Sequence, residues 1–187
     1  AEMLALLRLG IEHEDGPFSL RYPRDNVPGA VPALDDIPPV EYGTWEVLRR
    51  GSGVAILAVG TMVQPALEAA RLLESEGVDA TVVNCRFIKP VDEETLAWAA
   101  RHHSAILTVE EGTVANGFGA YVARLLEGDA SVPAELRIDT LGVPDRWIEH
   151  ASRKEQLEEL GLTPEGIAER VRALAAGARL APVRETA

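Results

Sequence analysis

An arginine near the end of a short apolar segment is the residue of this sequence best placed to bind an anion. In Leu20–Asn26 (LRYPRDN), Arg21 lies in a stretch typical of a strand, which Pro23 brings to an end. Open α/β sheets bind ligands at the carboxyl ends of their strands, and a guanidinium there holds phosphate or carboxylate through two parallel hydrogen bonds. Arg21 is therefore a candidate anion-binding residue. These residues alone favour a solvated or ion-paired arginine, and the rest of the chain shifts the interpretation toward binding.

Two adjacent carboxylates follow another apolar run. Glu110 and Glu111 come directly after residues 105–109, where paired acids can separate their pKa values and perform acid–base chemistry. Because neighbouring residues of a strand point to opposite faces, the two side chains need not converge. Capping or interface roles are therefore favoured over catalysis. Gly117 and Gly119 predict a tight strand-to-helix turn or close backbone packing.

The other reactive side chains are predicted to be structural. His102 and His103 are adjacent, which on a helix directs them away from a common metal, and His13 and His150 stand alone. Cys85 lies inside an apolar run, so a small core residue is favoured over a nucleophile. Neither a Gly-x-Gly-x-x-Gly turn nor a phosphate-binding Gly-Lys-Ser/Thr loop is present, which leaves a nucleotide site unsupported.

Composition excludes several classes of protein. The chain has 187 residues, a hydrophobic content of 47% and a net charge of −12, as expected for a globular domain with some additional structure. The negative charge argues against nucleic acid and anionic membrane surfaces as partners. No apolar run approaches the roughly 20 residues of a membrane span, and no leader peptide is recognisable. One cysteine excludes an internal disulfide and is typical of the cytoplasm.

Alternating apolar runs and helical patterns predict an α/β fold. Strands of near-continuous apolar residues separated by helices are typical of a mainly parallel sheet covered by helices on both faces. The alternation around Trp45 predicts an edge strand. Two closing helices are predicted from a capping box beginning at Ser152 and from a cap at Thr163 followed by proline. The predicted strands are 18–22, 44–48, 54–59, 80–85, 105–109 and 136–139.

A proline-rich stretch divides the chain. We expect a linker at 27–39 between a short first part, 1–26, and a main domain, 40–180, with a tail at 181–187. The first part begins directly in a helical pattern formed by Met3, Leu6, Leu7 and Leu9, without a cap or an initiating methionine. These features predict that the chain is a C-terminal piece of a longer polypeptide.

Several motifs, in this order along nearly the whole chain, resemble the C-terminal part of the 1-deoxy-D-xylulose-5-phosphate synthases. This family of thiamine-diphosphate enzymes belongs to the transketolase superfamily. One departure is Asp25, where the family usually has glycine before the asparagine, and it affects the expected detail of that turn. The motifs are LRYPRDN at 20–26, AVGTMV at 58–63, RFIKPVD at 86–92, VEEG at 109–112, GFG at 117–119, LGVPD at 141–145, EHAS at 149–152 and EELGL at 158–162.

The resemblance implies a fold, an activity and a set of partners. Residues 1–26 would be the last helix and strand of the pyrimidine-binding domain, and 40–180 a transketolase-type C-terminal domain with one antiparallel edge strand. The family joins pyruvate to D-glyceraldehyde 3-phosphate with loss of CO2, in the cytoplasm, and supplies isoprenoid, thiamine and pyridoxal precursors. It functions as a homodimer. Arg21 would contact the phosphate of glyceraldehyde 3-phosphate.

The cofactor residues are expected elsewhere. In the family, thiamine diphosphate and Mg²⁺ are held by a Gly-Asp-Gly…Asn motif that this chain lacks, so the missing N-terminal part would bind them. Gly128-Asp129-Ala130 is only superficially similar, since no asparagine lies downstream of Asn116. The resemblance therefore implies no catalytic, cofactor-binding or metal-binding residue in this chain, and an isolated piece without activity. The alternatives are a transketolase, the β chain of a 2-oxo-acid dehydrogenase, or a stand-alone assembly module.

Overall fold

The computed structural model describes residues 1–23, 29–30 and 32–177, which belong to two compact units, Ala1–Thr44 and Trp45–Ala187. Asp25 and the predicted tail lie outside the described residues, as does part of the predicted linker. Among the residues that are described, no helix is both long and apolar enough to cross a membrane.

The first unit contains the predicted opening helix but not the predicted strand. Helix α1 spans Glu2–Glu12, and a 3-10 turn follows at Leu34–Asp36. The prediction of a strand at Phe18–Tyr22 is wrong, because a strand needs a hydrogen-bonded neighbour and the described part of this unit offers none. The Phe18 ring packs against α1 instead, where a Cβ on Gly10 would lie 2.6 Å from it.

The second unit is built on a sheet of five described strands in the order β1-β3-β2-β4-β5. Only β1, at one edge, runs antiparallel to its neighbour. Strands β2 and β3 are buried along their whole length, which explains their near-continuous apolar sequences, with Thr81 and Asn84 as the polar residues of β3. The predicted sheet and its edge strand are confirmed. The strands are β1 Glu46–Arg49, β2 Val54–Ala58, β3 Ala80–Asn84, β4 Ala105–Thr113 and β5 Arg137–Val143.

Helices cover both faces of this sheet. The main core joins α2 and α6 to one face, through residues such as Ile56, Leu107 and Ile167. On the other face, α4 contacts Thr108 and Thr140 at Gly119. The helices are α2 Val63–Glu74, α3 Glu93–His102, α4 Phe118–Glu127, α5 Arg153–Glu159 and α6 Pro164–Ala175.

The starts of the last two helices agree with their local sequence. The hydroxyl of Ser152 accepts the N–H of Glu155, whose carboxylate accepts the N–H of Ser152 at 2.9 Å, so the predicted capping box is formed. Thr163 accepts the N–H of Gly166 at 3.2 Å, and Pro164 occupies the first turn of α6. Both helix starts are therefore confirmed.

Candidate functional site

Arg21, the predicted anion-binding residue, is exposed and belongs to the first unit. The segment that precedes Pro23 forms no strand, so Arg21 does not lie at the strand end that the sequence predicted. Its role stays a prediction, because a strand-end site would need neighbouring strands that the described residues of this unit do not contain.

The acids predicted at the end of β4 lie at the carboxyl edge of the sheet, and Glu110 caps a helix there. Its side chain is 5% exposed. Its carboxylate accepts the backbone N–H groups of Phe118 at 3.0 Å and Gly119 at 2.9 Å, at the start of α4. A carboxylate at a helix N-terminus satisfies free amides and interacts favourably with the helix dipole. The capping role expected for Glu110 is confirmed.

Glycines leave room for the Glu110 carboxylate. A Cβ on Gly112 would lie 2.6 Å from Glu110 Oε2, and one on Gly117 would lie 2.8 Å from both carboxylate oxygens. A Cβ on Gly142 would lie 3.1 Å from Glu110 Cγ. Larger residues at these positions would crowd the Glu110 side chain, and at Gly117 and Gly142 also the backbone carbonyls of Thr113 and Gly112, which explains these three glycines.

Glu111 belongs to a different set of contacts from Glu110. Its Oε1 accepts from Arg153 Nε at 2.9 Å and Nη2 at 2.8 Å, and its Oε2 accepts from the hydroxyl of Thr61. Glu111 therefore connects the turn after β2 with the start of α5. Because each acid has its own hydrogen-bond donors, the two carboxylates do not form an acid–base pair. No sequence pattern indicated these partners, which lie 42 and 50 positions from Glu111.

The histidines have local roles. His103 is buried, with Nδ1 2.9 Å from the carbonyl of Ala99 and Nε2 2.7 Å from the hydroxyl of Thr81. Since a carbonyl only accepts, Nδ1 carries a proton. His102 makes the same kind of contact with Trp98 at 2.8 Å. These contacts agree with the structural roles expected from the sequence.

Cys85 directly follows β3 rather than lying inside it. Its backbone N–H donates to the carbonyl of Ala58 at 2.9 Å, which continues the hydrogen-bonding pattern beyond the strand. Burial raises the pKa of the thiol well above its usual value, and the negative charge of Asp92 raises it further. The thiol therefore stays protonated, in agreement with the predicted role of a small core residue.

The residues at this edge do not fit a Mg²⁺–diphosphate group. Across the described ranges, no group of three or more His, Cys, Asp or Glu side chains is arranged to hold a metal ion. The carboxylates of Glu110 and Glu111 accept from backbone amides, a hydroxyl and a guanidinium. The carboxyl edge of the second unit is therefore tied together by structural contacts.

A surface depression of about 490 Å³ lies at the amino ends of β4 and β5, on the side of the sheet opposite to Glu110 and Glu111. Its lining includes Arg101 and His102 in the last turn of α3, and Arg137 at the start of β5. Arg137 donates to the carbonyl of Leu174 near the end of α6. Arginines near helix C-termini complement the negative end of the helix dipole, so Arg101 and Arg137 are accounted for without a ligand.

The sheet order, the single antiparallel edge strand and the covering helices define a transketolase-type C-terminal domain. The family model for the C-terminal domain of transketolase matches residues 43–167, and the chain belongs to this family. A split-gene transketolase, solved as an inactive tetramer that its description calls beta4, is 35% identical to this chain. The TM-score is 0.71, over 83% of this chain and 49% of that one. A transketolase from Pichia stipitis, 23% identical with a TM-score of 0.53, has the same fold.

Within this superfamily, the chain is similar to 1-deoxy-D-xylulose-5-phosphate synthases. It is 48% identical to the Synechococcus sp. (strain JA-2-3B'a(2-13)) enzyme over 92% of its length, and 46% identical to that of Gloeobacter violaceus over 92%. The resemblance found from the sequence motifs is therefore confirmed. The chain spans only 26% of the length of each of these relatives.

Proposed function

We propose that this chain is the C-terminal part of a 1-deoxy-D-xylulose-5-phosphate synthase. The complete enzyme would condense pyruvate with D-glyceraldehyde 3-phosphate, release CO2 and form 1-deoxy-D-xylulose 5-phosphate. The observation that carries this proposal is the similarity to such synthases over 92% of the chain, at 48% identity for one relative. The shared length includes both the segment around Arg21 and the second unit.

The chemical step would take place outside the described residues. Thiamine diphosphate would supply the carbanion chemistry of this reaction, and the preceding part of the enzyme would bind it together with Mg²⁺. The present chain would contribute a rigid domain for the assembly of a cytoplasmic homodimer, together with one substrate contact. Its isolated form is expected to have no synthase activity.

Arg21 is proposed to bind the phosphate of glyceraldehyde 3-phosphate. A guanidinium is permanently charged and offers two parallel donors to phosphate oxygens, which anchors the acceptor substrate without taking part in bond making. The exposure of Arg21 in this chain is compatible with a side chain that completes a site together with other parts of the enzyme. Pyruvate carries no phosphate, so its binding should not depend on Arg21.

Helix α1 has an exposed apolar face, which is the kind of surface that another part of a protein normally covers. Met3, Leu7 and Ile11 recur every four residues and are 43%, 48% and 77% exposed, while Ala5 and Leu6 on the same helix are buried. A helix that is apolar on two faces is normally enclosed on both. We propose that Met3, Leu7 and Ile11 pack against the preceding part of the pyrimidine-binding domain.

The experiment is steady-state kinetics on the complete enzyme with Arg21→Ala. Loss of a charged hydrogen-bonding group should reduce acceptor binding by about 1.5–3 kcal/mol, or roughly 10- to 150-fold in KM for glyceraldehyde 3-phosphate. The KM for pyruvate should stay close to the wild-type value. Unphosphorylated D-glyceraldehyde should be used equally well by both proteins.

Arg8→Ala is the matched control, since Arg8 is another exposed arginine of the first unit. It should leave both KM values unchanged. An Arg21→Ala enzyme with unaltered acceptor kinetics, or with equal losses for pyruvate and the phosphorylated aldehyde, would contradict the phosphate-binding role. The synthase assignment itself would be tested separately by the wild-type reaction.

A transketolase is the second candidate, favoured by the similarity to the split-gene transketolase over 83% of this chain. The two functions differ in donor, because a transketolase takes its two-carbon unit from a ketose phosphate. Product analysis with pyruvate or with xylulose 5-phosphate as donor distinguishes them. A 2-oxo-acid dehydrogenase β chain would form no sugar product with either donor, and a stand-alone assembly module would have no upstream Gly-Asp-Gly…Asn sequence in its reading frame.

A further inference from the structure

The two edges of the sheet differ in the length of their outer strands. At one edge, β1 has four residues, and its pairing with β3 is irregular between Val47 and Arg49. At the other edge, β5 has seven residues and, within the described residues, pairs only with β4. This pairing is regular from Arg137 to Leu141, and its register shifts only beyond that, between Val109 and Thr113 of β4. Short or irregular edges resist pairing with another strand, whereas a longer edge needs another form of protection.

The outward amides of β5 can be identified from its pairing with β4. The N–H of Arg137 donates to Ser104, and the carbonyl of Val143 accepts from Val114 at 2.8 Å. Because backbone groups alternate between the two sides of a strand, odd-numbered residues of β5 face β4 and the intervening ones face outward. The outward residues are Ile138, Thr140 and Gly142.

The central outward amide is occupied by a carboxylate. The N–H of Thr140 donates to Oδ1 of Asp139 at 3.0 Å. Arg170 of α6 donates to the same Oδ1 from Nη2 at 3.0 Å and to Oδ2 from Nε. The side chains of Asp139 and Arg170 are 22% and 13% exposed, so the pair is held at the border of the domain core.

We propose that the carboxylate of Asp139 closes the β5 edge against pairing with a strand from a second copy of this chain. A strand added here would have to place a carbonyl oxygen at the N–H of Thr140, where the carboxylate already accepts. The negative charge would also repel the incoming carbonyl. Contacts between copies of the chain would then be made by side chains, and the β5 strands of two copies would not form backbone hydrogen bonds with each other.

Asp139→Ala in the full chain tests this proposal, with Arg170→Gln as the matched control. Both variants lose the same ion pair, but Arg170→Gln keeps the carboxylate beside Thr140. Sedimentation equilibrium over a concentration series should show Asp139→Ala rising above the wild-type mass, toward about twice that value for a two-fold pairing of edges. Arg170→Gln should retain the wild-type mass.

Hydrogen exchange locates the new contact. In the associated Asp139→Ala protein, the amides of Ile138, Thr140 and Gly142 should exchange more slowly than in the same variant at low concentration. If association slowed the exchange of amides at other residues only, the proposal would be overturned. So would equal association of both variants, which would point to loosening of α6, or a wild-type mass for Asp139→Ala at every concentration.

Asp139→Val is the second variant if Asp139→Ala does not fold. Valine is favoured in strands and offers neither a charge nor an acceptor to the N–H of Thr140, so both obstacles to an incoming strand are lost. Its mass should exceed those of the wild type and Arg170→Gln at equal concentration. A mass equal to theirs would overturn the proposal.

Discussion

The backbone N–H of Trp45 donates to the carboxylate of Asp92 at 2.8 Å. Asp92 also caps α3, accepting the N–H and the hydroxyl of Thr95, each at 2.9 Å. The indole of Trp45 donates to the carbonyl of Phe87 at 2.8 Å. One carboxylate and one indole therefore attach the entry into the edge strand β1 to the start of α3.

Replacement of Asp92 by alanine should destabilise the protein by about 1–3 kcal/mol, because it removes a helix cap and leaves the N–H of Trp45 without its acceptor. Urea unfolding followed by tryptophan fluorescence measures the effect. Glu93→Ala is the control, since Glu93 is exposed in the same helical turn and should change stability by about 0.5 kcal/mol or less. Equal losses in both variants would contradict the special role of Asp92.

The two adjacent acids of β4 should respond very differently to substitution. Glu110→Ala leaves the buried amides of Phe118 and Gly119 without an acceptor and should cost about 2–4 kcal/mol in the free energy of unfolding. Glu111 is 31% exposed in its pair with Arg153, so Glu111→Ala should cost about 1 kcal/mol or less. Similar losses at both positions would show that the two buried hydrogen bonds of Glu110 do not stabilise the protein more than the exposed contacts of Glu111.

Gly119→Ala should loosen α4 from the sheet. The new Cβ would collide with the side chains of Thr108 and Thr140, which should reduce stability by about 1–3 kcal/mol. Gly128→Ala is the control at the other end of α4, where a Cβ would make ordinary contacts at 3.6 Å. In thermal unfolding, Gly119→Ala should therefore have a clearly lower Tm than Gly128→Ala. A stable Gly119→Ala protein would mean that α4 can shift without loss.

The ion pair between Glu76, in the turn after α2, and Arg172 of α6 should weaken in acid. Arg172 donates hydrogen bonds to Glu76 at 2.6 and 2.7 Å, which lowers the pKa of Glu76 below its usual value of 4.5, with a smaller charge effect in the same direction. A lowered folded-state pKa means that the stabilisation is complete above pH 4.5 and disappears as the pH falls through the folded value.

Urea midpoints of wild type and Glu76→Gln, measured from neutral pH downward, test this expectation. The difference between the two proteins should be present at neutral pH and shrink below pH 4.5, and added salt should reduce it, because the pair is exposed. Glu68→Gln, at an exposed position of α2, is the control. A constant difference across the whole pH range would contradict the assigned contribution of Glu76.

Much of the second unit was predictable because the relevant interactions are local. The near-continuous apolar runs of β2 and β3 indicated buried parallel strands, and both are buried throughout. The capping box at Ser152 joins residues three positions apart, so its sequence contains both halves of the interaction. The glycines at 117 and 119 likewise indicated the close packing that α4 requires.

The sequence by itself determined the types and order of these elements, whereas the partners of individual side chains were decided by the tertiary structure. Glu111 meets Thr61 and Arg153 only because the sheet order brings their loops to one edge. The segment 18–22 has the composition of a strand, yet it forms none without a neighbour. A helical turn finds its hydrogen bonds within a few residues, but a strand or an ion pair depends on distant segments that the fold brings close.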